Sequence, residues 1–234
     1  MVLTPKEPMS EKEKLWWAMC ITANRFRFGF GRQANRTLKS LFLPEASEMP
    51  AWVNEASIDK YTGAERAARQ GTSQGLDVSA WKSFSLQDLF DIRKGQRLTK
   101  LNMLPGQVPY VGASDRNNGV TAFIGQEPIH SGGTISVSYN GSVAEAFYQP
   151  VAFWATDDVN VLYPKGFALT PETALFICTV IRLEKYRFSY GRKWHLDRMR
   201  ESIIRLPATA TGQADWDVMQ SSIEQVPFSS QLSS

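Results

Sequence analysis

Several features that would mark a membrane protein, a secreted protein or a common enzyme are missing from this 234-residue sequence. It has no apolar run long enough to cross a bilayer, which takes about 20 residues as a helix. Residues 1–14 are charged and lack the apolar core of a signal peptide. We therefore expect a cytoplasmic protein with no membrane partner.

Cysteine and histidine are scarce, with two residues of each type. Cys20 and Cys178 lie in apolar helical runs, so buried thiols are expected, and no Cys/His cluster has zinc spacing. His130 and His195 lie in separate segments without an evident nucleophile, which argues against a catalytic triad. No metal or cofactor is expected on this chain.

Three elements of nucleic-acid and nucleotide enzymes are also absent. No lysine has an acidic residue two positions before it, as the D/E-x-K nuclease element requires, and there is neither a Pro-Pro dipeptide nor a Walker A sequence. Asp157-Asp158 could pair as acid and base or bind a metal, although a cap or a hydrogen-bonded turn is the commoner role of such a pair. An atypical nuclease or DNA methyltransferase fragment with an unfamiliar active site is therefore kept as the alternative function.

What the sequence does contain is an internal repeat. Residues 26–32 (FRFGFGR) match residues 186–192 (YRFSYGR) at an offset of 160 positions, and the match extends back over residues 15–21 and 175–181. Residues 41–44 then match 204–207 across a three-residue gap, and Trp52 and Trp216 follow at similar distances. Copies this far apart are not stacked solenoid units. They indicate a duplicated domain of which the first copy retains only the tail.

In the first third of the chain, Ser10 and Glu13 form the sequence pattern of a capping box, which predicts a helix to about Asn24. Alternating phenylalanines predict a strand over residues 26–30. Residues 37–44 are predicted to form a helical turn followed by a strand. Residues 45–80 are predicted to contain one or two connecting helices.

Residues 81–207 are predicted to form one complete domain of the α+β class, because several short strands precede the helices. Apolar alternation predicts strands over 108–111, 134–139 and 159–163 and a strand pair over 143–153. Asn118-Gly119 predicts a turn with positive φ, Thr170-Pro171 predicts a helix start, and Asp215 precedes a terminal helix. The expected divisions are 1–54 (partial repeat), 55–80 (helical connector), 81–207 (complete domain) and 208–234 (terminal helix and tail).

The net charge is only +3, but the basic residues are clustered. Residues 25–39 contain five basic residues and no acid, residues 93–100 contain four and no acid, and residues 182–205 contain eight against three acids. Two of these clusters are related by the repeat and are interleaved with aromatic residues. This distribution favours a polyanionic partner over a merely solvated face.

A series of short segments carries a resemblance to a known family. The segments are residues 81–95 (WKSFSLQDLFDIRKG), 108–114 (VPYVGAS), 117–120 (NNGV), 140–143 (NGSV), 146–150 (AFYQP), 157–162 (DDVNVL), 190–194 (YGRKW) and 203–207 (IIRLP). In this order they resemble a target recognition domain of the specificity (S) subunits of type I restriction-modification systems. The resemblance covers about residues 81–226, with the tail echoed at residues 9–54.

The resemblance implies a non-catalytic subunit that binds double-stranded DNA sequence-specifically. In this family two recognition domains, separated by helical spacers, each read one half of a split target. The helices dock methyltransferase (M) subunits, which methylate adenine, and a restriction (R) subunit translocates and cleaves. S-adenosylmethionine, ATP and Mg²⁺ are therefore expected on partner subunits. Because this chain contains only the tail of a first domain, the resemblance also implies a second copy or a missing half of the S subunit as a partner.

The same resemblance and the charge clusters give the predicted DNA-binding residues. Phosphate contacts are expected from cations on both sides of a groove, namely Arg93, Lys94, Arg97, Arg187, Arg192, Lys193 and Arg198. Base-edge contacts are expected from turn residues, namely Asn117, Asn118, Tyr139 and Asn140. Further contacts are expected from Lys100, Arg116, Ser142, Tyr190 and Trp194. For Asn117 and Asn118, turn geometry alone is the alternative role.

Overall fold

The structure is a computed structural model, and it describes residues 3–24, 38–58, 75–188, 191–227, 229 and 232. The chain divides into two compact units, residues 1–65 and residues 66–234. Within the described residues, no helix is long and apolar enough to span a membrane. The predicted strand at residues 26–30, residues 59–74 of the predicted connector, Tyr190, and the basic cluster at 25–39 apart from Lys39 lie outside the described residues.

The elements follow one another in chain order, and we number helices and strands separately. The α-helices are α1 (Glu11–Ala23), α2 (Trp52–Glu55), α3 (Leu86–Leu89), α4 (Pro171–Leu183), α5 (Leu196–Glu201) and α6 (Trp216–Glu224). The strands are β1 (Lys82–Ser85), β2 (Phe90–Lys94), β3 (Val108–Val111), β4 (Val120–Ile124), β5 (Thr134–Ser138), β6 (Ala146–Gln149), β7 (Trp154–Ala155), β8 (Val159–Pro164) and β9 (Ile203–Leu206). Short 3₁₀ turns lie at Leu38–Ser40, Ala46–Glu48, Val78–Ala80, Lys100–Asn102, Asn117–Gly119 and Glu184–Arg187. The predicted α+β class is confirmed.

In the first unit, α1 begins as its sequence predicts. The Ser10 hydroxyl accepts from the Glu13 N–H at 3.2 Å, and the Glu13 carboxylate accepts from the Ser10 N–H at 2.7 Å. Helix α2 lies beside α1, and Lys12 Nζ donates to the Asn54 carbonyl at 2.7 Å. The predicted turn before residue 41 is found at Leu38–Ser40, but the strand expected up to residue 44 is not formed.

The repeat is visible in the helices. Helix α1 runs from residue 11 to 23 and α4 from residue 171 to 183, so both bounds differ by the same 160 positions. Both helices begin with a capping box, and in α4 the Thr170 hydroxyl accepts from the Thr173 N–H at 3.2 Å. The second helix also lies beside a following helix, α6, as α1 lies beside α2. A local sequence match therefore reports a real structural repeat.

The second unit is built around a four-stranded antiparallel sheet with the strand order β2-β8-β5-β6. A three-stranded sheet, β4-β3-β7, lies beside it and includes one parallel pair, β3 with β7. Because side chains alternate along a strand, the four-stranded sheet contributes to two cores. Ile92, Ile135 and Leu162 belong to the core that includes α4, whereas Val159 and Val161 pack with Val111, Phe153 and Ala155.

A third pair of strands joins the beginning of the domain to its end. Strand β1 pairs antiparallel with β9, with Phe84 opposite Ile204. The guanidinium of Arg205 in β9 donates to the carbonyls of Val78 and Trp81 at 3.1 and 3.0 Å. The first and last strands of residues 82–206 are thus joined, and the segment that leads into the domain is held by one arginine.

Most of the remaining predicted elements are found, with two changes. The strands at 108–111 and 159–163 are confirmed, and the terminal helix begins after Asp215, whose carboxylate accepts from the Val218 N–H at 3.0 Å. In residues 81–92 apolar and polar residues alternate, as in a strand, but the segment forms β1 and β2 with helix α3 between them. The second strand expected in 143–153 is reduced to a single bridge at Phe153.

Candidate nucleic-acid interface

Four of the predicted DNA-binding residues, Lys94, Tyr139, Asn140 and Ser142, lie at one end of the four-stranded sheet, which we call the loop end. Here β2 and β5 finish while β6 and β8 begin, as the pairs Lys94 with Asn160 and Val137 with Ala146 show. The β5–β6 loop and the turn before β8 lie at this end. The β3–β4 loop also reaches it, because a Cβ added at Gly141 would lie 3.1 Å from the Ala113 Cβ.

The turn before β8 fastens the β5–β6 loop. Asn140 donates from its side-chain amide to the Asp158 carboxylate at 2.8 Å, and the Tyr139 N–H donates to the Asp158 carbonyl at 3.0 Å. The interpretation of Asp157-Asp158 as a hydrogen-bonded turn is therefore confirmed. Within the part of the chain that the structure describes, no three His, Cys, Asp or Glu side chains form a group that could hold a metal ion.

The β3–β4 loop presents Arg116, Asn117 and Asn118 in a strained turn. Asn117 and Asn118 have φ of 50° and 55°, in the left-handed region that asparagine tolerates better than most residues. The side chain of Asn118 donates to the Tyr148 carbonyl at 2.7 Å, which ties the loop to β6. Both asparagines are exposed, but no side-chain hydrogen bond of Asn117 is seen within the described residues. The two asparagines therefore differ: Asn118 holds the turn and Asn117 faces solvent.

The segment after α4 lies against the same end. Glu145 of the β5–β6 loop forms ion pairs with Arg182 at 3.4 Å and Lys185 at 2.6 Å. Arg192 and Arg198 are exposed, and Arg198 donates to the Lys193 carbonyl at 3.2 Å. Arg187 is ion-paired with Glu184 at 2.5 Å. Residues 182–188 and 191–198 thus carry basic side chains that border the β5–β6 loop.

Three predicted residues are placed differently from expectation. Trp194 is fully buried: its ring stacks on Phe188 with centroids 4.5 Å apart, and its Nε1–H donates to the Ser202 hydroxyl at 2.8 Å. It therefore belongs to the core and presents no aromatic face to solvent. Tyr139 is also buried, with 7% of its surface exposed, so its side chain does not project from the loop as a base-reading residue would.

Arg93 is the third of these residues. It is exposed, but its guanidinium lies over the Tyr163 ring at 4.3 Å and pairs with Asp91 at 2.7 Å, so the side chain is already engaged. The Asp91 carboxylate raises the pKa of Arg93, which stays charged.

The segment that follows β2 carries Arg97 and Lys100 away from the loop end. It runs past Trp154 and Tyr110, whose side chains donate to the Gln96 and Leu98 carbonyls at 2.9 and 3.1 Å. Arg97 and Lys100 are exposed, and no ion pair of either is found within the described residues. These two cations therefore lie along the three-stranded sheet, while Ser142 stays at the loop end.

His195 was not selected from the sequence, yet the structure brings it to the loop end. It is exposed, it precedes α5, and its ring lies 5.2 Å from that of Tyr139. The sequence signal that could have found it is its position two residues after Lys193, inside the basic segment. The other histidine, His130, is buried and bonds Tyr163 through Nδ1 at 2.8 Å, away from these loops.

Comparisons with known proteins identify the family of this chain. The family model described as "Type I restriction modification DNA specificity domain" matches residues 78–232. The chain is 32% identical over 231 residues to the specificity subunit S.BcgI of a type II restriction enzyme from Heyndrickxia coagulans, a match that spans 94% of this chain and 68% of that protein. These findings name a specificity component, and they do not favour the alternative of a nuclease or methyltransferase.

A solved structure supports the fold. The S subunit of a type I system from M. genitalium matches over 95% of this chain and 50% of its own length, with 17% identity and a TM-score of 0.51. The HsdS subunit from Thermoanaerobacter tengcongensis matches over 97% and 51%, with 13% identity and a TM-score of 0.45. This chain thus spans about half the length of these solved relatives. From the extent of the family match and the identity to S.BcgI, the chain belongs to the type I restriction modification DNA specificity domain family.

Proposed function

We propose that this chain binds double-stranded DNA and selects the sequence on which a restriction-modification complex acts. The observation that carries this proposal is the convergence of two recognition loops and a basic segment at one end of a sheet. The loops supply amides, which can bond base edges, and the basic segment supplies cations, which can bond phosphates. Scaffold bonds hold both loops, so the polar groups are set in place before DNA arrives.

The chemistry of modification and cleavage belongs to partner subunits in this account. A methyltransferase subunit would bind S-adenosylmethionine and methylate adenine, and a restriction subunit would use ATP and Mg²⁺. The resemblance to a specificity subunit of a type II enzyme supports a complex of this general kind without fixing its type. We also propose that a second copy, or a chain that supplies a first recognition domain, completes a bipartite target.

Methylome sequencing with and without the gene tests this function. We expect one sequence motif to carry a methylated adenine only when both this chain and a methyltransferase subunit are expressed. The control is expression of the methyltransferase alone, which should leave the motif unmodified. Identical methylomes with and without this chain would contradict the proposed function.

A further inference from the structure

The buried ring of Tyr139 lies between two exposed polar side chains from distant parts of the sequence. Lys94, the last residue of β2, has its Nζ 5.4 Å from the centre of the Tyr139 ring. The His195 ring lies 5.2 Å from the same ring at an interplanar angle of 45°. One aromatic side chain, itself excluded from solvent, is thus the common neighbour of a cation and an imidazole at the surface of the loop end.

Lys94 and Tyr139 are each anchored through the backbone. Lys94 pairs with Asn160 in the β2–β8 ladder, next to the turn at which the Tyr139 N–H donates to the Asp158 carbonyl. Because β2, which carries Lys94, and β5, which leads to Tyr139, both pair with β8, the position of the Lys94 stem relative to the Tyr139 ring is set by the sheet.

His195 is anchored through α5. Its carbonyl accepts from the Met199 N–H at 2.8 Å, and Met199 is fully buried. The next residue, Arg200, donates to the Ile92 carbonyl of β2 at 3.3 Å, and Asn160 donates to the Met199 sulfur at 3.6 Å. Helix α5 is therefore attached to the two strands that carry Lys94 and Asn160, so it fixes His195 with respect to Lys94.

We propose that Tyr139 is a positioning residue that orients Lys94 and His195 toward one stretch of DNA backbone, and that His195 is a DNA contact. An imidazole has at least one N–H donor in either protonation state, so it can bond a phosphate oxygen. A lysine side chain loses rotamer freedom when it binds, and contact with an aromatic face before binding reduces that loss. This inference rests on the proposed DNA-binding function, and it gives Tyr139 a role other than reading bases.

A substitution at His195 separates this role from simple packing. His195→Phe retains an aromatic neighbour for Tyr139 but has no N–H, so affinity for duplex DNA should fall about tenfold, as expected for the loss of one bond to a charged group. If His195 only packs against Tyr139, the His195→Phe variant should bind duplex DNA as tightly as the unaltered chain. That result would overturn the inference.

A double-mutant cycle tests the coupling to Lys94. Lys94→Ala, Tyr139→Leu and the double variant should show non-additive losses of duplex affinity, because Lys94 contributes fully only when the ring is present. Additive losses would contradict the positioning role. Thermal melting of each variant establishes that it is folded, and if Tyr139→Leu is not, the His195→Phe variant decides the question. If the unaltered full chain itself binds no duplex DNA, the proposed function fails; if it binds and His195→Phe binds equally, only this inference fails.

Discussion

The side-chain amide of Asn140 donates to the Asp158 carboxylate at 2.8 Å, and this contact sets the direction in which a recognition loop presents its amide. Together with the backbone bond from Tyr139 to the Asp158 carbonyl, it fastens the β5–β6 loop at two points. No other hydrogen bond of the Asn140 side chain is seen within the described residues, so its amide oxygen and second amide hydrogen stay available. In the proposed function, Asp158 would therefore act on DNA recognition through Asn140.

Replacing Asp158 should change discrimination more than affinity. In Asp158→Ala the Asn140 amide loses its anchor, and we expect the preference for the target over unrelated duplexes to fall by about 1–3 kcal/mol, the value of one bidentate base contact. The control is Asp157→Ala, which removes the same charge from the same turn but leaves the Asn140 contact. Fluorescence anisotropy with target and scrambled duplexes measures this preference for both variants. Equal losses of preference in the two variants would argue against a role of Asp158 in orienting Asn140.

Asn118 should contribute to folding stability rather than to DNA binding. Asn118→Ala removes the bond to the Tyr148 carbonyl and places alanine at φ 55°, so we expect a loss of about 1–2 kcal/mol in the free energy of unfolding. Asn118→Gly also removes the bond but accepts this φ, so it should lose less. Urea unfolding compares the two variants. If alanine is tolerated as well as glycine, the turn is not strained at this position.

The exposed cations should differ in their contribution to the salt dependence of binding. Arg192 has no ion pair with a described residue, so Arg192→Ala should reduce the slope of log affinity against log salt by about one. Arg187 is already paired with Glu184 at 2.5 Å, so Arg187→Ala should reduce the slope less. Binding titrations between low and physiological salt give both slopes, and a larger effect of Arg187 than of Arg192 would contradict the assigned footprint.

Acid should destabilise the second unit through His130. Burial, and secondarily the charge of Arg93, lowers the pKa of His130 from its ordinary value of 6.5 to about 4. The folded state therefore holds His130 neutral, while the unfolded chain takes up the proton near pH 6.5. Stability is complete above this pH and declines as the pH falls from about 6.5 to about 4.

The variant His130→Asn removes this titration, so its unfolding free energy should depend less on pH in that window than that of the unaltered chain. Because other groups are common to both proteins, the comparison is between the slopes of the two stability curves. Chemical denaturation at a series of pH values gives these slopes. Parallel curves would show that His130 is not the group responsible.

The sequence predictions that the structure confirms rest mainly on local patterns of a few neighbouring residues. The capping residues Ser10 and Thr170 predicted two helix starts that are observed, and apolar alternation predicted β3 and β8. Asn118-Gly119 predicted a turn with positive φ, which is also found. In each case a few neighbouring residues determine the backbone, so the sequence alone was sufficient.

Contacts between distant segments could not be predicted in this way. Trp194 lies among basic residues, as a DNA-stacking aromatic would, but it is buried because Phe188 and Ser202 satisfy its ring and its N–H. Tyr139 follows a strand, as a loop residue would, but it is buried in the core, with Lys94 and His195 beside its ring. Which polar residues face solvent depended on how β2, β5 and α5 pack, and no local pattern reports that.

The most direct test of sequence reading is selection of bound duplexes from a random library by the full chain. The account predicts enrichment of one motif. It also predicts that Asn117→Gly, which keeps the positive φ of 50° but removes the amide, loses the preference at one base position while its salt slope stays unchanged. If the protein binds duplex DNA but the selected duplexes share no enriched motif, the central claim that this domain reads sequence is contradicted.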